Sequence, residues 1–385
     1  MTRVLLSLAL LLCVLCACGS GSDEPDDGVA NRTLLVYMVA TNSLGDNRSD
    51  MRDLEEMEKA VSTGKTAKCR LLVYHAAADG STPVLKEVYR DGTTAAWRTL
   101  VDYGRAPSGT SLTAERMRQV IADAKRLAPA AGYGLVLWSH ASGWLPAVKS
   151  RGTRRVLTPG AITQAFGEDD GYEMPIEVLA EALPDGGFDF ICADVCYMGA
   201  IEVAYELRTK CRQLMASASE VPNGGMPYDV ALPYLCRDVA SVEGACQASY
   251  NYYNSLTGAA RSYTGVVVDC ERLDRLADVC REIYAAKRSD PDAATLQCYY
   301  LPSRSYFFDF EQYYSAISPT LALSGSLHSA LGEAVTYRCA TPQIFLRLSI
   351  DSEHYSGLST YVPGTSTEAT DLYYASLAWS RAITK

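Results

Sequence analysis

Hydrophobic and polar positions between residues 33 and 220 follow two alternating patterns. Unbroken apolar runs predict strands buried on both faces, and they occupy 33–40, 69–77, 132–140, 188–195 and 211–220, with an edge strand at 84–90. Between them, apolar residues at helical spacing predict helices at 48–61, 112–128, 175–183 and 199–208. Because buried strands that alternate with helices are typical of a parallel sheet covered on both sides, the pattern predicts an α/β fold.

The pattern after residue 240 is less regular. It predicts a helix at 245–257, a strand at 265–270, a helix at 273–287 and a strand at 357–363. No linker and no internal repeat separates this part from the rest. We therefore assign 31–240 to a core and 241–385 to a part that completes or extends the same domain, with a separate second domain as the open alternative.

The first residues predict export. Arg3 precedes an apolar run at 4–12, which is too short to span a membrane and is followed by a polar, acidic stretch. Cys18 follows Ala17 and has an apolar residue, Leu15, three positions before it, as a lipid-attachment signal requires. We expect Cys18 to carry the lipid; ordinary cleavage nearby without a lipid is the alternative.

This assignment divides the N-terminus into two parts. Residues 1–17 are the predicted lipoprotein signal peptide, and residues 18–30 are a flexible acidic tether, since they are polar, charged and broken by proline. The expected location is the bacterial cell envelope. A lipid would anchor the chain in the outer membrane, facing either the periplasm or the cell surface.

Composition excludes several classes of function. The chain is 48% hydrophobic and 21% charged, as globular enzymes are, and its formal net charge is −10. A basic cluster occurs only near residue 150, so nucleic acid is not an expected partner. Ten cysteines follow Cys18, at positions 69, 192, 196, 211, 236, 246, 270, 280, 298 and 339. Their scattered spacing indicates no metal site, and although disulfides are possible, most should pack as small apolar residues.

Chemically reactive residues follow two of the predicted strands. Ser139 and His140 end one, and Asp194 and Cys196 end another. The carboxyl ends of parallel strands are where ligands bind in such sheets. A nearby imidazole or helix N-terminus lowers the pKa of a thiol and makes it a nucleophile. We therefore expect Cys196 and His140 to face each other as nucleophile and base, beside backbone N–H groups suited to an oxyanion.

These motifs resemble the clostripain family of cysteine peptidases, relatives of caspases, legumain and gingipains. The similarity runs through TLLVYMVATNSL, LVLWSHASGW, FDFICADVCYMGAIEVAYELR and SEVPNGGMPYD, with a weaker match at YSGLSTYVP. It implies a caspase-like three-layer α/β/α sandwich with a mostly parallel central sheet. It also implies a dyad of Cys196 and His140, protein or peptide substrates, and no organic cofactor.

The resemblance also gives Asp194 a role. An aspartate at that position faces the pocket for the residue before the scissile bond, which implies cleavage after Arg or Lys. A partly buried carboxylate selects a cation, and most tightly a guanidinium that can bind it in two places. The alternative is that Asp194 caps the helix that follows, and the two roles are compatible.

One residue departs from the family pattern. Ala141 stands where relatives usually have glycine after the histidine. The resemblance implies an oxyanion hole formed by the N–H groups of Ala141 and Cys196. If this position needs a positive φ, alanine is strained there and the N–H is misdirected.

A basic loop lies between His140 and Cys196. It contains Lys149, Arg151, Arg154 and Arg155. Family members can cut themselves at basic sites in this part of the chain, so these residues are candidate self-cleavage sites. A solvated charged loop is the alternative.

A short acidic cluster follows the basic loop, at Glu168, Asp169 and Asp170. Clostripain depends on calcium, so the resemblance makes a calcium site possible. The spacing is not that of an EF-hand loop, and we favour a solvated acidic turn.

The sequence thus predicts a lipid-anchored, exported cysteine endopeptidase that cuts after Arg or Lys. A catalytically impaired surface lipoprotein that uses the same fold as a binding scaffold is the main alternative, supported by Ala141. A transpeptidase or ligase would use the same dyad and acyl-enzyme and differ only in the nucleophile that resolves it.

Overall fold

The structure is a computed structural model that describes residues 30–147, 166–303 and 305–385. The predicted signal peptide, Cys18 and most of the tether lie outside the described residues. The four candidate self-cleavage sites lie outside them as well: Lys149, Arg151, Arg154 and Arg155.

The described residues form fifteen strands and twelve α-helices, with four short 3₁₀ helices. The strands are β1 Ala30–Val39, β2 Cys69–Ala76, β3 Val84–Asp91, β4 Thr94–Asp102, β5 Ala130–Trp138, β6 Phe166–Asp169, β7 Tyr172–Met174, β8 Phe188–Asp194, β9 Cys211–Ala216, β10 Thr264–Asp269, β11 Phe308–Asp309, β12 Val335–Ala340, β13 Gln343–Ile344, β14 Leu348–Ser349 and β15 Ser359–Thr360. The helices are α1 Ser43–Asp46, α2 Ser49–Ser62, α3 Ala114–Leu127, α4 Ile176–Ala182, α5 Ile201–Leu207, α6 Tyr228–Leu235, α7 Val242–Asn254, α8 Leu273–Ala286, α9 Phe310–Ile317, α10 Leu321–Ala334, α11 Glu368–Ala375 and α12 Ala378–Thr384.

Nine strands make one central sheet in the order β12-β10-β9-β8-β5-β1-β2-β3-β4. The five inner strands β9, β8, β5, β1 and β2 are parallel, and two antiparallel strands extend each edge. Alternate residues of β1 pack on opposite faces, Leu35 and Tyr37 on one and Leu34 and Val36 on the other. An unbroken apolar run is therefore what a strand covered on both faces needs.

Helices cover both faces of this sheet. The buried side chains of α2, α6 and α7 pack on one face, and those of α3, α4, α5 and α8 to α12 pack on the other. The predicted three-layer α/β/α sandwich is thus confirmed. None of the helices in the described part of the chain has the length and apolar character needed to cross a membrane.

Residues after 240 contribute to the same sheet. Strands β10 and β12 are its outermost pair at one edge, and β10 pairs directly with β9. Further along, Ser359 bridges Ala200 at the start of α5, and β15 pairs with β11. The strand predicted at 357–363 is reduced to β15, because its other residues connect elements without forming a ladder.

The edge of the sheet differs from the prediction. The strand predicted at 84–90 is β3, but it is not the last strand, because β4 pairs with it as the outer edge. The sequence pattern did not reveal β4, whose residues are all exposed or half-buried. A strand with one face towards solvent and mixed side chains lacks the apolar run that marked its neighbours.

Candidate active site

The candidate residues meet where β5 and β8 leave the sheet. The parallel register pairs Trp138 with Asp194. His140 and Cys196 each follow two residues later, so they leave the sheet side by side. Both line a cavity of about 380 Å³, together with Ala141 and Asp194. The structure therefore brings together all four residues that the sequence proposed for this site.

A strained turn directs Cys196 away from β8. Tyr197 has a φ of 60°, in the left-handed region that bulky residues seldom adopt. Its hydroxyl donates to Glu220 Oε1 at 2.9 Å, its N–H donates to the Ser219 carbonyl at 3.1 Å, and its ring stacks on Phe307 with centroids 4.8 Å apart. These contacts hold a backbone conformation that would otherwise cost about 1–3 kcal/mol.

The Cys196 thiol is half-buried and neutral in this structure. Its pKa is raised to about 12, mainly by burial and to a smaller extent by the carboxylates of Glu220 and Asp194, while the N–H of Val221 lowers it. That N–H donates to Cys196 Sγ at 3.3 Å. The expectation that a helix N-terminus lowers this pKa is wrong, because α5 begins only at Ile201 and the helix dipole acts within about one turn.

The His140 imidazole is also neutral at neutral pH. Burial lowers its pKa below the ordinary value of 6.5, while the Glu168 carboxylate opposes this effect. Its Nε2 hydrogen-bonds to Ser43 Oγ at 2.8 Å. In the described part of the chain, Nδ1 has no hydrogen-bond partner, and it is thus available to accept a proton.

The loop after β1 supports this histidine. Asn42 caps α1 by accepting the N–H of Leu44 at 2.9 Å, and its amide donates to Val39 O, Glu168 O and Ser139 Oγ. One side chain therefore ties the end of β1 to the end of β5, which fixes Ser43 beside the imidazole. The sequence analysis did not select either residue of this support.

Ala141 adopts an ordinary backbone conformation. Among the described residues, positive φ outside glycine occurs only at Arg48, Asp170, Tyr197, Phe345 and Leu346. Ala141 forms an isolated antiparallel bridge with Phe166, and Gly167 N donates to His140 O at 2.8 Å. The concern that alanine is strained here is therefore unfounded. Within the described chain, the N–H groups of Ala141 and Cys196 donate to no other group and are available to an oxyanion.

Asp194 is held beneath the loop that leads into α6. It is 8% exposed, and its two carboxylate oxygens accept from Met226 N at 2.7 Å and from Tyr228 Oη at 2.9 Å. Gly225 has a φ of 58°, and a Cβ there would lie 2.8 Å from Asp194 Oδ2, so only glycine lets the backbone approach. The capping alternative for Asp194 is wrong, since α5 has no side-chain cap.

Two further carboxyl groups surround Asp194, and both come from α2. Asp53 accepts from Trp138 Nε1 at 2.5 Å, and Glu56 accepts from Tyr228 N at 2.8 Å. Burial is the largest cause of each raised pKa, to about 9 for Asp53, about 7 for Glu56 and about 6 for Asp194. At neutral pH, Asp194 is thus the mainly ionised member, and Asp53 is protonated.

The sequence analysis missed Asp53 and Glu56 because acidic residues on a helix usually face solvent. A signal was nevertheless present. Asp53 lies four residues before Met57 and next to Leu54, on the apolar stripe that α2 turns to the sheet. An acid on such a stripe indicates a buried carboxyl with a specific partner.

The acidic cluster at 168–170 is only partly a solvated turn, since Asp170 is exposed and Asp169 is not. Asp169 is buried and accepts from Thr41 Oγ1 at 2.7 Å and from Ser111 N at 3.0 Å, so it fastens the β6–β7 hairpin to the sheet. The described residues contain no group of three or more His, Cys, Asp or Glu side chains able to hold a metal ion.

The fold is a caspase-like α/β/α sandwich, and its cleft places a thiol beside an imidazole, as cysteine peptidases do. The chain matches the model of the clostripain family over residues 36–319, and it belongs to that family.

Solved structures of bacterial proteases are similar over nearly the whole chain. A secreted cysteine protease from Bacteroides thetaiotaomicron is 25% identical, with a TM-score of 0.78 over 92% of this chain and 99% of that one. An inactive zymogen protease from Parabacteroides distasonis is 25% identical, with a TM-score of 0.78 over 93% of this chain and 99% of that one. No curated protein matches the chain.

A third solved structure covers less of the chain. It is a clostripain from Bacteroides thetaiotaomicron in complex with the peptide inhibitor BTN-VLTK-AOMK. It is 29% identical, with a TM-score of 0.50 over 56% of this chain and 97% of that one.

Proposed function

We propose that this protein is an exported, lipid-anchored cysteine endopeptidase that hydrolyses peptide bonds after Arg or Lys. The observation that carries the proposal is the shared register of β5 and β8, which opens a thiol, an imidazole and a buried carboxylate onto one cavity. Cys196 is the nucleophile, and His140 is its general base. Asp194 binds the side chain before the scissile bond.

The first step starts from a neutral thiol and a neutral imidazole. Cys196 Sγ attacks the scissile carbonyl carbon while its proton passes to His140, at Nδ1 because Nε2 is bonded to Ser43. The carbonyl oxygen becomes an oxyanion that accepts from the N–H groups of Ala141 and Cys196. The imidazolium then protonates the leaving amine, and the C–N bond breaks to give a thioester.

Hydrolysis of the thioester completes the cycle. His140 takes a proton from water as the water oxygen attacks the thioester carbon. The C–S bond then breaks, the new carboxylic acid leaves, and the proton returns to the Cys196 sulfur. An amine in place of water would give transfer instead, so product masses with and without an added amine separate a hydrolase from a transpeptidase.

The charge at the base of the cavity supports a basic side chain in the substrate. With a pKa of about 6, the Asp194 carboxyl is ionised in most molecules at neutral pH. Burial excludes water from it, so a guanidinium or ammonium group is favoured over a neutral side chain. The related clostripain is in complex with an inhibitor whose peptide, VLTK, ends in lysine.

We also propose self-processing in the segment between residues 147 and 166. Both ends of this segment are buried, since Ala147 and Phe166 are 7% and 0% exposed, and Phe166 bridges Ala141, which lines the cavity. The basic sites Lys149, Arg151, Arg154 and Arg155 lie between these ends, and the related zymogen is consistent with activation by cleavage. Fragment masses would support the proposal if they placed a cut after one of these residues in the natural chain and showed no such cut in Cys196→Ala.

The proposals of export and of lipid attachment rest on the N-terminal sequence. The secreted relative supports export, and attachment through Cys18 is our proposal for this chain. Metabolic labelling with a fatty acid, compared between the natural chain and Cys18→Ala, tests it. Label in both chains, or in neither, would contradict attachment at Cys18.

The binding-scaffold alternative keeps one supporting observation. The argument from Ala141 is lost, because that residue is unstrained. The raised pKa of Cys196 remains, since it means that the thiol is protonated at neutral pH. A covalent probe distinguishes the two functions. A peptidyl-lysine acyloxymethyl ketone should alkylate the Cys196 sulfur with loss of its carboxylate, as fragment mass spectrometry would show, and should not label Cys196→Ala.

A matched control comes from β8, the strand that precedes Cys196. Cys192→Ala removes a fully buried thiol four residues away and should leave labelling unchanged. Labelling at Cys192, or no labelling of the intact or nicked protein, would contradict the proposed nucleophile.

A further inference from the structure

Four cysteines away from the cleft form two close pairs. The sulfur atoms of Cys211 and Cys270 are 3.8 Å apart, and those of Cys246 and Cys339 are 3.9 Å apart. Each pair joins residues distant in sequence, by 59 and 93 positions. Neither pair contributes to the mechanism above, and the sequence analysis treated these cysteines as small apolar residues.

The second pair lies over a glycine near the start of β10. Gly265 is the register partner of Cys339 on β12, and Cys246 reaches the same point from α7. A Cβ at position 265 would lie 2.6 Å from Cys246 Sγ and 3.2 Å from Cys339 Sγ. Glycine inside a strand weakens it and marks a close approach. Here its missing side chain leaves the space that the two sulfurs occupy.

The first pair closes the other end of the same edge. Cys211 is the first residue of β9, and Cys270 directly follows β10, its antiparallel neighbour. Both side chains are buried, at 5% and 3% exposure. The two pairs therefore fasten β10 to β9 at one end and α7 to β12 across the outer edge.

We propose that Cys211–Cys270 and Cys246–Cys339 are disulfide bonds in the exported protein. The sulfurs must approach from nearly 4 Å to a bond length of about 2.05 Å, which means a movement of roughly 0.9 Å each. A small rotation about each Cα–Cβ bond supplies such a movement. Cys196 is not involved, because its sulfur hydrogen-bonds to the backbone of Val221 and is left as a thiol.

The oxidant that forms these bonds is supplied by the compartment to which the protein is exported. A disulfide-bearing oxidoreductase accepts the electrons: one thiolate of the pair attacks its disulfide to form a mixed disulfide, and the second thiolate then attacks the substrate-side sulfur of that mixed disulfide and displaces the oxidoreductase thiolate. Each protein disulfide thus forms as the oxidoreductase disulfide becomes two thiols, with loss of two hydrogens from the pair. This proposal rests on the export proposed above, since a reducing cytoplasm would keep the thiols reduced.

The edge held by these bonds adjoins the substrate pocket. Tyr263 lies just before β10, and its ring stacks on Tyr253 with centroids 5.6 Å apart. The Tyr253 hydroxyl donates to the Gly225 carbonyl at 2.6 Å, in the loop that covers Asp194. Fastening the edge strands should therefore fix this wall of the cavity, in addition to stabilising the fold.

Disulfide mapping of the full chain tests the proposal. Cells that export the protein are lysed with N-ethylmaleimide and no reductant, and its peptides are analysed by mass spectrometry. We expect two cross-linked peptides, joining Cys211 to Cys270 and Cys246 to Cys339, which dithiothreitol releases. N-ethylmaleimide on both cysteines of a pair, in protein recovered from the envelope fraction, would overturn the proposal for that pair.

A second arm separates this proposal from that of export. Protein made in the cytoplasm is purified and exposed to oxidised glutathione, which tests the geometry without export. Cross-linking there but not in cells, with the protein found only in the cytoplasm, would contradict the proposed location and support the sulfur geometry. Failure to cross-link in folded protein in this arm overturns the proposal wherever the protein resides.

A stability measurement provides the matched control. Dithiothreitol should lower the Tm of the oxidised protein by roughly 5 °C or more, because the two bonds close long loops. The double variant Cys246→Ser/Cys339→Ser should lose part of this response, and Cys280→Ser, which removes a cysteine of neither pair, should keep it. An identical response to reductant in the wild type and both variants would overturn a stabilising bond at Cys246.

Discussion

Substitution of Asp194 by Asn removes the charge from the substrate pocket and keeps its shape. The amide oxygen can still accept from Met226 N, and the amide nitrogen can donate to Tyr228 Oη, which takes the place of a bond that the hydroxyl now donates. The fold should therefore persist. Any change in activity then reports the interaction between the carboxylate and the substrate.

The size of the effect follows from burial and ionisation. With a pKa of about 6, Asp194 is more than about 90% ionised at pH 7.5. Loss of one partner of a buried, hydrogen-bonded charge pair costs about 3–4 kcal/mol. For peptides that end in Arg, kcat/KM should thus fall by roughly 10²–10³-fold, while the value for peptides that end in Leu should stay unchanged or rise.

Fluorogenic peptides that differ only in the residue before the scissile bond provide the assay. Asp53→Asn is the matched control, because a pKa of about 9 keeps the Asp53 carboxyl protonated at pH 7.5 and its replacement removes no charge. We expect Asp53→Asn to change kcat/KM for Arg peptides by less than about threefold. If Asp194→Asn lowered kcat/KM equally for Arg and Leu peptides, at an unchanged Tm, the proposed role of Asp194 would be refuted.

Three further predictions concern the ionisation of Asp194, the ionisation of Cys196 and the support of His140. Competitive inhibition by agmatine should weaken as pH falls below about 6, because protonation neutralises Asp194; a constant Ki between pH 5 and 8 would argue against this. The alkylation rate of Cys196 in the free protein should rise about tenfold per pH unit from 7 to 10, since its thiol pKa is raised; a plateau below pH 7 would indicate a preformed ion pair. Ser43→Ala should lower kcat by roughly tenfold and leave KM unchanged, with recovery in Ser43→Thr, because the hydroxyl orients His140; equal activity in all three proteins would exclude that role.

The position of the site could be predicted because it depends on strand pairing. Apolar runs marked β5 and β8 as neighbours of one parallel sheet, and their reactive residues follow each strand at the same distance. Side chains at equal distances beyond paired positions must lie together. His140, Ala141, Asp194 and Cys196 could therefore be grouped before their contacts were known.

The electrostatics of the site could not be predicted in the same way. The pKa of Cys196 is raised by burial and by the Glu220 carboxylate and lowered by the N–H of Val221, and both of these residues follow β9 rather than β8. Asp194 raises the pKa of Asp53 only because α2 packs on the sheet beside Trp138. Such contacts between distant segments leave no local pattern in the sequence.

The helix after Cys196 illustrates a second limit. Its apolar spacing predicted a helix from residue 199, whereas α5 begins at Ile201 after a turn strained at Tyr197. A shift of two residues is small for the fold. The same shift matters for the pKa of the Cys196 thiol, because the dipole of a helix acts only within its first turn.

The most direct test of the central claim compares the soluble protein that begins at Gly19 with its Cys196→Ala variant. Each is incubated with fluorogenic peptides that end in Arg, Lys, Asp or Leu, in its intact form and after nicking between residues 147 and 166. The account predicts cleavage after Arg and Lys by the natural protein and none by the variant. Equal cleavage by both proteins, or none by either, would contradict a Cys196 peptidase.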